Sequence, residues 1–336
     1  MKRLHRDAIG LTVALLVNMS GSRISAQVPL DPDEPARRSL AFLNREVPRW
    51  SRENRCYSCH NNGDGARAIF VSLTANFTAN GNDLAETLAF LAQPERWDKN
   101  GVDAAFSDKR LARVQFAAAL GDAEGAGRVV DRSALARAAD LLANDQAEDG
   151  SWPIDEAASV GSPTTWGTPL ATALATQALR RADSPRFRVP ISRAEAWFRS
   201  RPLQNLHDAA SILLVLSGDA PADRLRITDA VQFLGRWQNE DGGWGPFPRA
   251  ASEPFDTALA MIALARHADH RDVRMRIGRG RTFLIANQKP DGSWTETTRP
   301  PGGESYAQRI STTSWAAMAL TVTEPSRLRV EGPPKS

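Results

Sequence analysis

The feature that most constrains this chain is a seven-residue pattern, Gln-x-x-Asp-Gly-x-Trp, that occurs three times. It spans Gln146 to Trp152, Gln238 to Trp244 and Gln288 to Trp294. Asp-Gly imposes a turn, because glycine tolerates positive φ and aspartate bonds its own following backbone. An apolar stretch with helical spacing precedes the turn, as in Ala230-Val231-Gln232-Phe233-Leu234 and Arg281-Thr282-Phe283-Leu284-Ile285. An alanine-rich stretch follows it: Thr172-Ala173-Leu174 with Ala178-Leu179, Thr257-Ala258-Leu259 with Ala263-Leu264, and Thr313-Ser314-Trp315 with Ala319-Leu320. The unit is therefore a helix, a turn and a second helix. Alone it buries too little apolar surface, so such units must stack on one another.

Weaker copies occupy the remainder. Arg38-Ser39-Leu40-Ala41-Phe42-Leu43 leads to Ala68–Leu73, Leu84–Leu91 leads to Val114–Leu120, and Ala194–Phe198 leads to Ser211–Leu216. The second stretches recur about every 50 residues, which gives six helix pairs, and strand patterns are essentially missing. The expected fold is all-α: one toroid of six hairpins, with small alanine-rich helices packed closely inside. The 336-residue length and 42% apolar composition suit one large packed domain and exclude a disordered or collagen-like chain. In the repeated turn, Gln can satisfy free backbone groups at helix ends, and Trp can cover the gap between repeats.

Gln-x-x-x-Gly-x-Trp after an apolar helix resembles the QW motif of squalene–hopene cyclases and of the related prenyltransferase repeats. Arg281-Thr282-Phe283-Leu284 with Gln288 resembles its fuller form. The resemblance is carried by three repeats, roughly residues 130–320, and it implies a six-fold α/α barrel. It also implies a test of the chemistry. Class II triterpene cyclases protonate an alkene with the central Asp of Asp-x-Asp-Asp-Thr-Ala. Here the corresponding stretch reads Glu253-Pro254-Phe255-Asp256-Thr257-Ala258. The tail survives, but Phe255 stands at the proton-donating position and cannot supply a proton. Prenyltransferases of this fold hold zinc with Asp, Cys and His, and the cysteines here lie elsewhere, so no zinc is expected.

Both cysteines of the chain fall in Cys56-Tyr57-Ser58-Cys59-His60. Cys-x-x-Cys-His is the attachment sequence of c-type haem, with two thioethers and a proximal imidazole. The expectation is one covalent haem c on Cys56 and Cys59, with His60 on the iron, in a loop at 55–66 on the barrel rim. His207 is the distal candidate, set against its being a solvated loop histidine. No Met occurs between Met19 and Met261, and Met261 and Met318 fall on inner helices as core residues. The leading function is accordingly electron transfer or redox chemistry with a redox partner protein. The alternatives are a terpenoid cyclase or prenyltransferase-like enzyme, or a non-catalytic module, holding a small apolar ligand in the barrel mouth.

Residues 1–26 read as a signal peptide: a basic start (Lys2, Arg3, Arg6), an apolar run Ala8–Val17, then Ser25-Ala26. That predicts a periplasmic or secreted protein with no membrane span after cleavage. The excess of Lys and Arg behind the net charge of +3 lies in this segment, so the charge does not argue for a nucleic-acid partner. The barrel is expected over 27–325 and a disordered tail over 326–336. Among other candidates, Asp149, Asp241 and Asp291 read as turn residues. Asp155 with Glu156, Glu253 with Asp256, and Glu304 read as rim carboxylates. Trp166, Phe255 and Trp315 begin inner helices, where they line a pocket or plug the barrel.

Overall fold

A computed structural model describes residue 31 and residues 33–77, 84–99, 109–129, 131–154, 160–299 and 301–328. Residues 1–26, and with them the leader expectation, lie outside these, as do residues 329–336 of the expected tail. Residues 326–328 form a turn, and Leu328 packs on the core.

The repeats fold as helix pairs, in the order α1 (Glu34–Asn54) with α2 (Ala66–Thr74), α3 (Ala85–Leu91) with α4 (Lys109–Gly125), and α5 (Ser133–Asp145) with α6 (Gly167–Arg181). The second half adds α7 (Arg188–Ser200) with α8 (Leu206–Val215), α9 (Pro221–Arg236) with α10 (Pro254–Ala265), and α11 (Arg271–Ala286) with α12 (Tyr306–Val322). No strand occurs among the described residues. Even-numbered helices form the inner ring: each touches the next, and α12 returns to α2. Burial separates the layers. α12 is buried without a break from Ile310 to Thr321, whereas α9 buries only Asp223, Ala230 and Leu234. Alanines and small hydroxylated residues let the inner helices approach, and their hydroxyls are used up locally, as in Thr176 to Thr172 O (2.7 Å) and Ser314 to Ile310 O (2.7 Å).

The repeated turn clamps the layers. The indole Nε1 of Trp152, Trp244 and Trp294 donates to the carbonyl of Leu142, Leu234 and Leu284 respectively, at 2.8 Å each time. The backbone N–H of each Trp donates to a threonine within the following inner helix: Thr172, Thr257 and Thr313. Each Gln amide donates twice, once to its own turn glycine carbonyl and once to the next outer helix: Gln146 to Pro190 O, Gln238 to Arg276 O, and Gln288 to Pro35 O. The last of these joins the end of the chain to its beginning. The Trp hydrogen bonds stay within its own hairpin, while the Trp244 ring also packs against Gly280 of α11, and the Gln bonds bridge neighbouring pairs. The turn glycines need their freedom: Gly292 has φ +90°, and a Cβ there would lie 2.2 Å from Arg38 O.

No helix among the described residues is long and apolar enough to cross a membrane.

Candidate functional site

The inner helices α8, α10 and α12 begin on the same side of the ring, and their first turns carry the unusual chemistry. His207 in α8 and Asp256 in α10 are buried and meet at Nε2–Oδ1, 3.0 Å. Arg299, in the segment ahead of α12, donates to Glu253 Oε2 at 2.7 Å, to Asp256 Oδ2, and to the carbonyl of Gly161. Burial alone would raise the Asp256 carboxyl. The Arg299 charge and the His207 contact together outweigh it and hold Asp256 below the usual range. Its neighbour goes the other way: burial, reinforced by the Asp256 charge, pushes Glu253 up to about 7. The two carboxyls share one cation, and Glu253 is the one that keeps a proton near neutrality.

A row of rings crosses from this cluster to the other side of the mouth. His207 packs edge-on to Phe255 (5.5 Å between centroids), Phe255 edge-on to Trp315 (5.6 Å), and Trp315 edge-on to Trp166 (5.8 Å). All four are buried. Trp166 adopts φ +59°, a conformation a bulky residue takes only under constraint. Ser162 supplies part of that constraint, since its carbonyl accepts the Trp166 N–H at 2.8 Å. The ring row therefore links the starts of α8, α10 and α6 through Trp315, which lies in the middle of α12 rather than at its start. Arg67 lies over both indoles, 5.1 Å from Trp315 and 5.6 Å from Trp166.

At the far end of the row the Cys-x-x-Cys-His segment is not an open loop. Residues Cys59–Gly65 wind into π-helical turns that run directly into α2. Ser58 starts them: its Oγ accepts the N–H of His60 (3.0 Å) and Asn61 (3.4 Å), and its own N–H donates to Asn62 Oδ1 (3.0 Å). Asn61, Asn62 and Asp64 are buried. The Ser311 hydroxyl from α12 donates to Asp64 Oδ2 at 2.7 Å and lies 3.4 Å from His60 Nδ1. Burial pushes Asp64 up to about 7 against the opposing pull of Arg67, and it pushes His60 down to about 4. The Cys59 thiol, 3.6 Å from His60 Nε2, rises to about 12 through burial and the Asp64 charge. A thiol held that firmly protonated is a poor nucleophile.

A family model described as the squalene-hopene cyclase C-terminal domain matches residues 206–305, the stretch that contains His207, Glu253, Asp256 and Arg299. The drimenyl diphosphate synthase of Streptomyces showdoensis is 31% identical over 173 residues, covering 48% of this chain and 32% of that protein. The drimenyl diphosphate synthase of Streptantibioticus cattleyicolor is 42% identical over 65 residues, covering 19% and 12%. This chain thus spans about a third or less of the curated relatives it matches. A solved structure of the type II terpene cyclase MstE from Scytonema, bound to geranylgeranyl dihydroxybenzoate, has a TM-score of 0.56 at 15% identity. It covers 88% of this chain and 97% of that one. At that identity the likeness concerns the fold. The chain has the α/α barrel of type II terpene cyclases.

These relatives overturn the haem and electron-transfer expectation: they are terpenoid cyclases. The geometry also gives the motif other work. The His60 nitrogen that would meet an iron contacts the Cys59 sulfur, and its ring neighbours the Ser311 hydroxyl that serves Asp64. His207 is neither a distal ligand nor a solvated loop histidine. It is buried in the first turn of α8, with its Nε2 committed to Asp256. Met261 and Met318 are core residues as expected, and Asp149, Asp241 and Asp291 accept turn N–H groups. Glu304 is exposed, while Asp155 and Glu156 lie outside the described residues. Sequence reasoning missed Arg299, which sits in an irregular segment with no pattern to mark it. It also left Asp64 inside the loop expected at 55–66 without a role, although the run Asn61-Asn62-Gly63-Asp64-Gly65 stands out.

Proposed function

We propose that this protein is a terpenoid cyclase of the protonation-initiated kind, acting on an isoprenoid alkene bound along the Trp166–Trp315–Phe255 row. The single observation that carries the reading is the first turn of α10. There Glu253 and Asp256 share Arg299, with His207 behind them, inside the segment that resembles the squalene-hopene cyclase domain. Such a reaction needs a carboxylic acid that is still protonated at neutral pH and aromatic faces to stabilise the carbocation formed by protonation. Both requirements have counterparts here: two carboxyls raised to about 7, and a continuous row of rings between them. Phe255 removes the family's own donor position, so the proton comes from a different carboxyl. Incubation with farnesyl diphosphate, geranylgeranyl diphosphate and squalene, followed by mass spectrometry, tests the reading. A cyclic isomer of one of them is expected.

A non-catalytic binding module is the second reading, favoured by the complete burial of Trp166, Phe255 and Trp315. It predicts saturable binding of the isoprenoid and its recovery unchanged. Export through the leader at 1–26 is a further proposal. It is tested by N-terminal sequencing of protein recovered from the periplasm or medium of an expressing cell, where a start at Gln27 is expected.

A further inference from the structure

With Phe255 at the family's donor position, three buried or half-buried carboxyls remain near the ring row. Asp256 is ion-paired to Arg299 and bonded to His207, and its ionised form is favoured. Glu253 shares the same guanidinium and sits at the rim, with 29% of its side chain exposed. Its carboxyl is also raised to about 7, but the guanidinium it bonds stabilises the ionised form, and its open side exchanges the proton with solvent. Asp64 differs in each respect. Its side chain is fully buried, and its Oδ2 has one neutral partner, the Ser311 hydroxyl. Its Oδ1 is buried without a hydrogen bond of ordinary geometry. The Trp166 indole beside it favours the ionised form weakly, and the nearest cation, Arg67 Nη1, stands 3.9 Å away, with Arg67 committed to Asp122 through Nε at 2.9 Å. Arg67 itself lies over Trp166 and Trp315, so Asp64 borders the ring row from the side opposite Glu253. π-helical turns such as Cys59–Gly65 recur at functional sites, where they aim a side chain that regular helix would misdirect.

We propose that Asp64 is the proton donor of this barrel and that Ser311 and His60 form the path that recharges it. The inference rests on the cyclase reading above. In the forward step the Asp64 O–H bond breaks and its proton forms a C–H bond at one alkene carbon. This leaves an Asp64 carboxylate and a carbocation over the aromatic faces. Ring closure follows within the substrate, and the final cation loses a proton to water. To reset, Ser311 hands its hydroxyl proton to Asp64 Oδ2 and receives one from His60 Nδ1, while His60 takes up a solvent proton at Nε2; loss of that proton to solvent and uptake of one at Nδ1 then restore the starting tautomer. Protons lost and gained balance, and the product is an isomer of the substrate. Neighbours from every packed element fit the role. α12 contributes Ser311, α2 contributes Arg67, and α4 contributes Asp122, which already holds Arg67. α1 contributes Glu46, whose carboxylate is turned to Tyr306, Arg45 and Arg49. On the turn itself stand Cys59 and His60. Burial places Asp64 at about 7 and keeps His60 neutral above about 4, which suits a donor and a relay respectively.

The test uses the whole chain with farnesyl diphosphate, geranylgeranyl diphosphate and squalene, and compares wild type with Asp64→Asn, Asp64→Glu and Ser311→Ala. Asp64→Asn is expected to lower turnover at least about 100-fold, the scale of a lost general acid. Asp64→Glu should restore part of it, and Ser311→Ala should slow turnover most at high pH, where the reset limits. Infrared difference spectra at pH 6 report the acid separately: of the protonated-carboxyl C=O stretches, to which Glu253 also contributes, one should be lost in Asp64→Asn, and a melting curve confirms that the variant is folded. Cyclisation that persists in folded Asp64→Asn, or an unchanged carboxyl band, overturns the donor role while the cyclase reading stands. Failure of wild type to form any cyclic isomer overturns the cyclase reading itself, and the donor role with it.

Discussion

His207 and Asp256 lie 49 residues apart in sequence and 3.0 Å apart in space, at the starts of neighbouring inner helices, with Arg299 on the other oxygen of the carboxylate. Each member neutralises a cost that burial imposes on another, and His207 Nδ1 remains without a partner. Asp256→Asn removes the buried carboxylate between His207 and Arg299 and leaves Glu253 to pair with that guanidinium. The expected loss is about 1–3 kcal/mol in urea unfolding at pH 7. The same change removes one of the causes that raise Glu253, so its carboxyl should titrate lower in the variant, a shift readable by NMR.

Ring closure depends on the last repeat. Gln288 Nε2 donates to Pro35 O at 2.8 Å, and its Oε1 accepts from Arg38 Nη2 at 2.6 Å. With its bond to Gly292 O also lost, Gln288→Ala leaves three part-buried groups unmatched and should cost about 1–3 kcal/mol. Thermal unfolding checks it. A loss clearly larger than that of Gln146→Ala identifies 288 as the seam that holds α11 to α1.

Two glycines near that seam should respond with opposite sign. Gly292→Ala forces a Cβ to within 2.2 Å of Arg38 O at φ +90° and should destabilise by more than about 1 kcal/mol. Gly278 lies on the exposed face of α11 with nothing within 4 Å of a built Cβ, so Gly278→Ala should stabilise by about 0.5–1 kcal/mol. Paired melting curves decide both.

The buried Asp64 makes stability depend on pH in a definite direction. Its folded value of about 7 lies above the unfolded value, so the folded chain holds this proton more tightly. The resulting contribution is complete below the unfolded pKa and is lost as pH rises toward and through 7. Relative to Asp64→Asn, wild type should lose up to roughly 4 kcal/mol between pH 4 and pH 8. His60 acts oppositely, because its lowered pKa costs stability as pH falls from 6.5 toward 4. Urea midpoints of wild type, Asp64→Asn and His60→Gln across that range separate the two.

The barrel was legible because its information is local and repeated. Asp-Gly with a following Trp fixes a turn, and alanine against leucine sorts inner from outer helices. The closure between Gln288 and Pro35 was implied by the count of six pairs. The site was legible only in part. Glu253, Phe255 and Asp256 fall on a motif, so the loss of the acid position was readable. Asp64 and Ser311 are 247 residues apart, and their meeting requires the ring to close first. The Cys-x-x-Cys-His spelling misled for a related reason: spacing states which residues are near in sequence. It does not state that Ser58 starts π-helical turns, buried from Asn61 to Gly65, that pack against α12. His207 misled likewise, since a histidine beside loop residues looks solvated until Asp256 arrives from another repeat.

The central claim is that this barrel isomerises an isoprenoid by adding a proton from a carboxyl and losing another. The most direct measurement is the mass of the product made in heavy water. Farnesyl diphosphate, geranylgeranyl diphosphate and squalene are each incubated with wild type in H2O and in D2O. The account predicts a cyclic isomer of unchanged mass in H2O that carries deuterium at the protonated carbon in D2O. Recovery of every substrate uncyclised and unlabelled would contradict it.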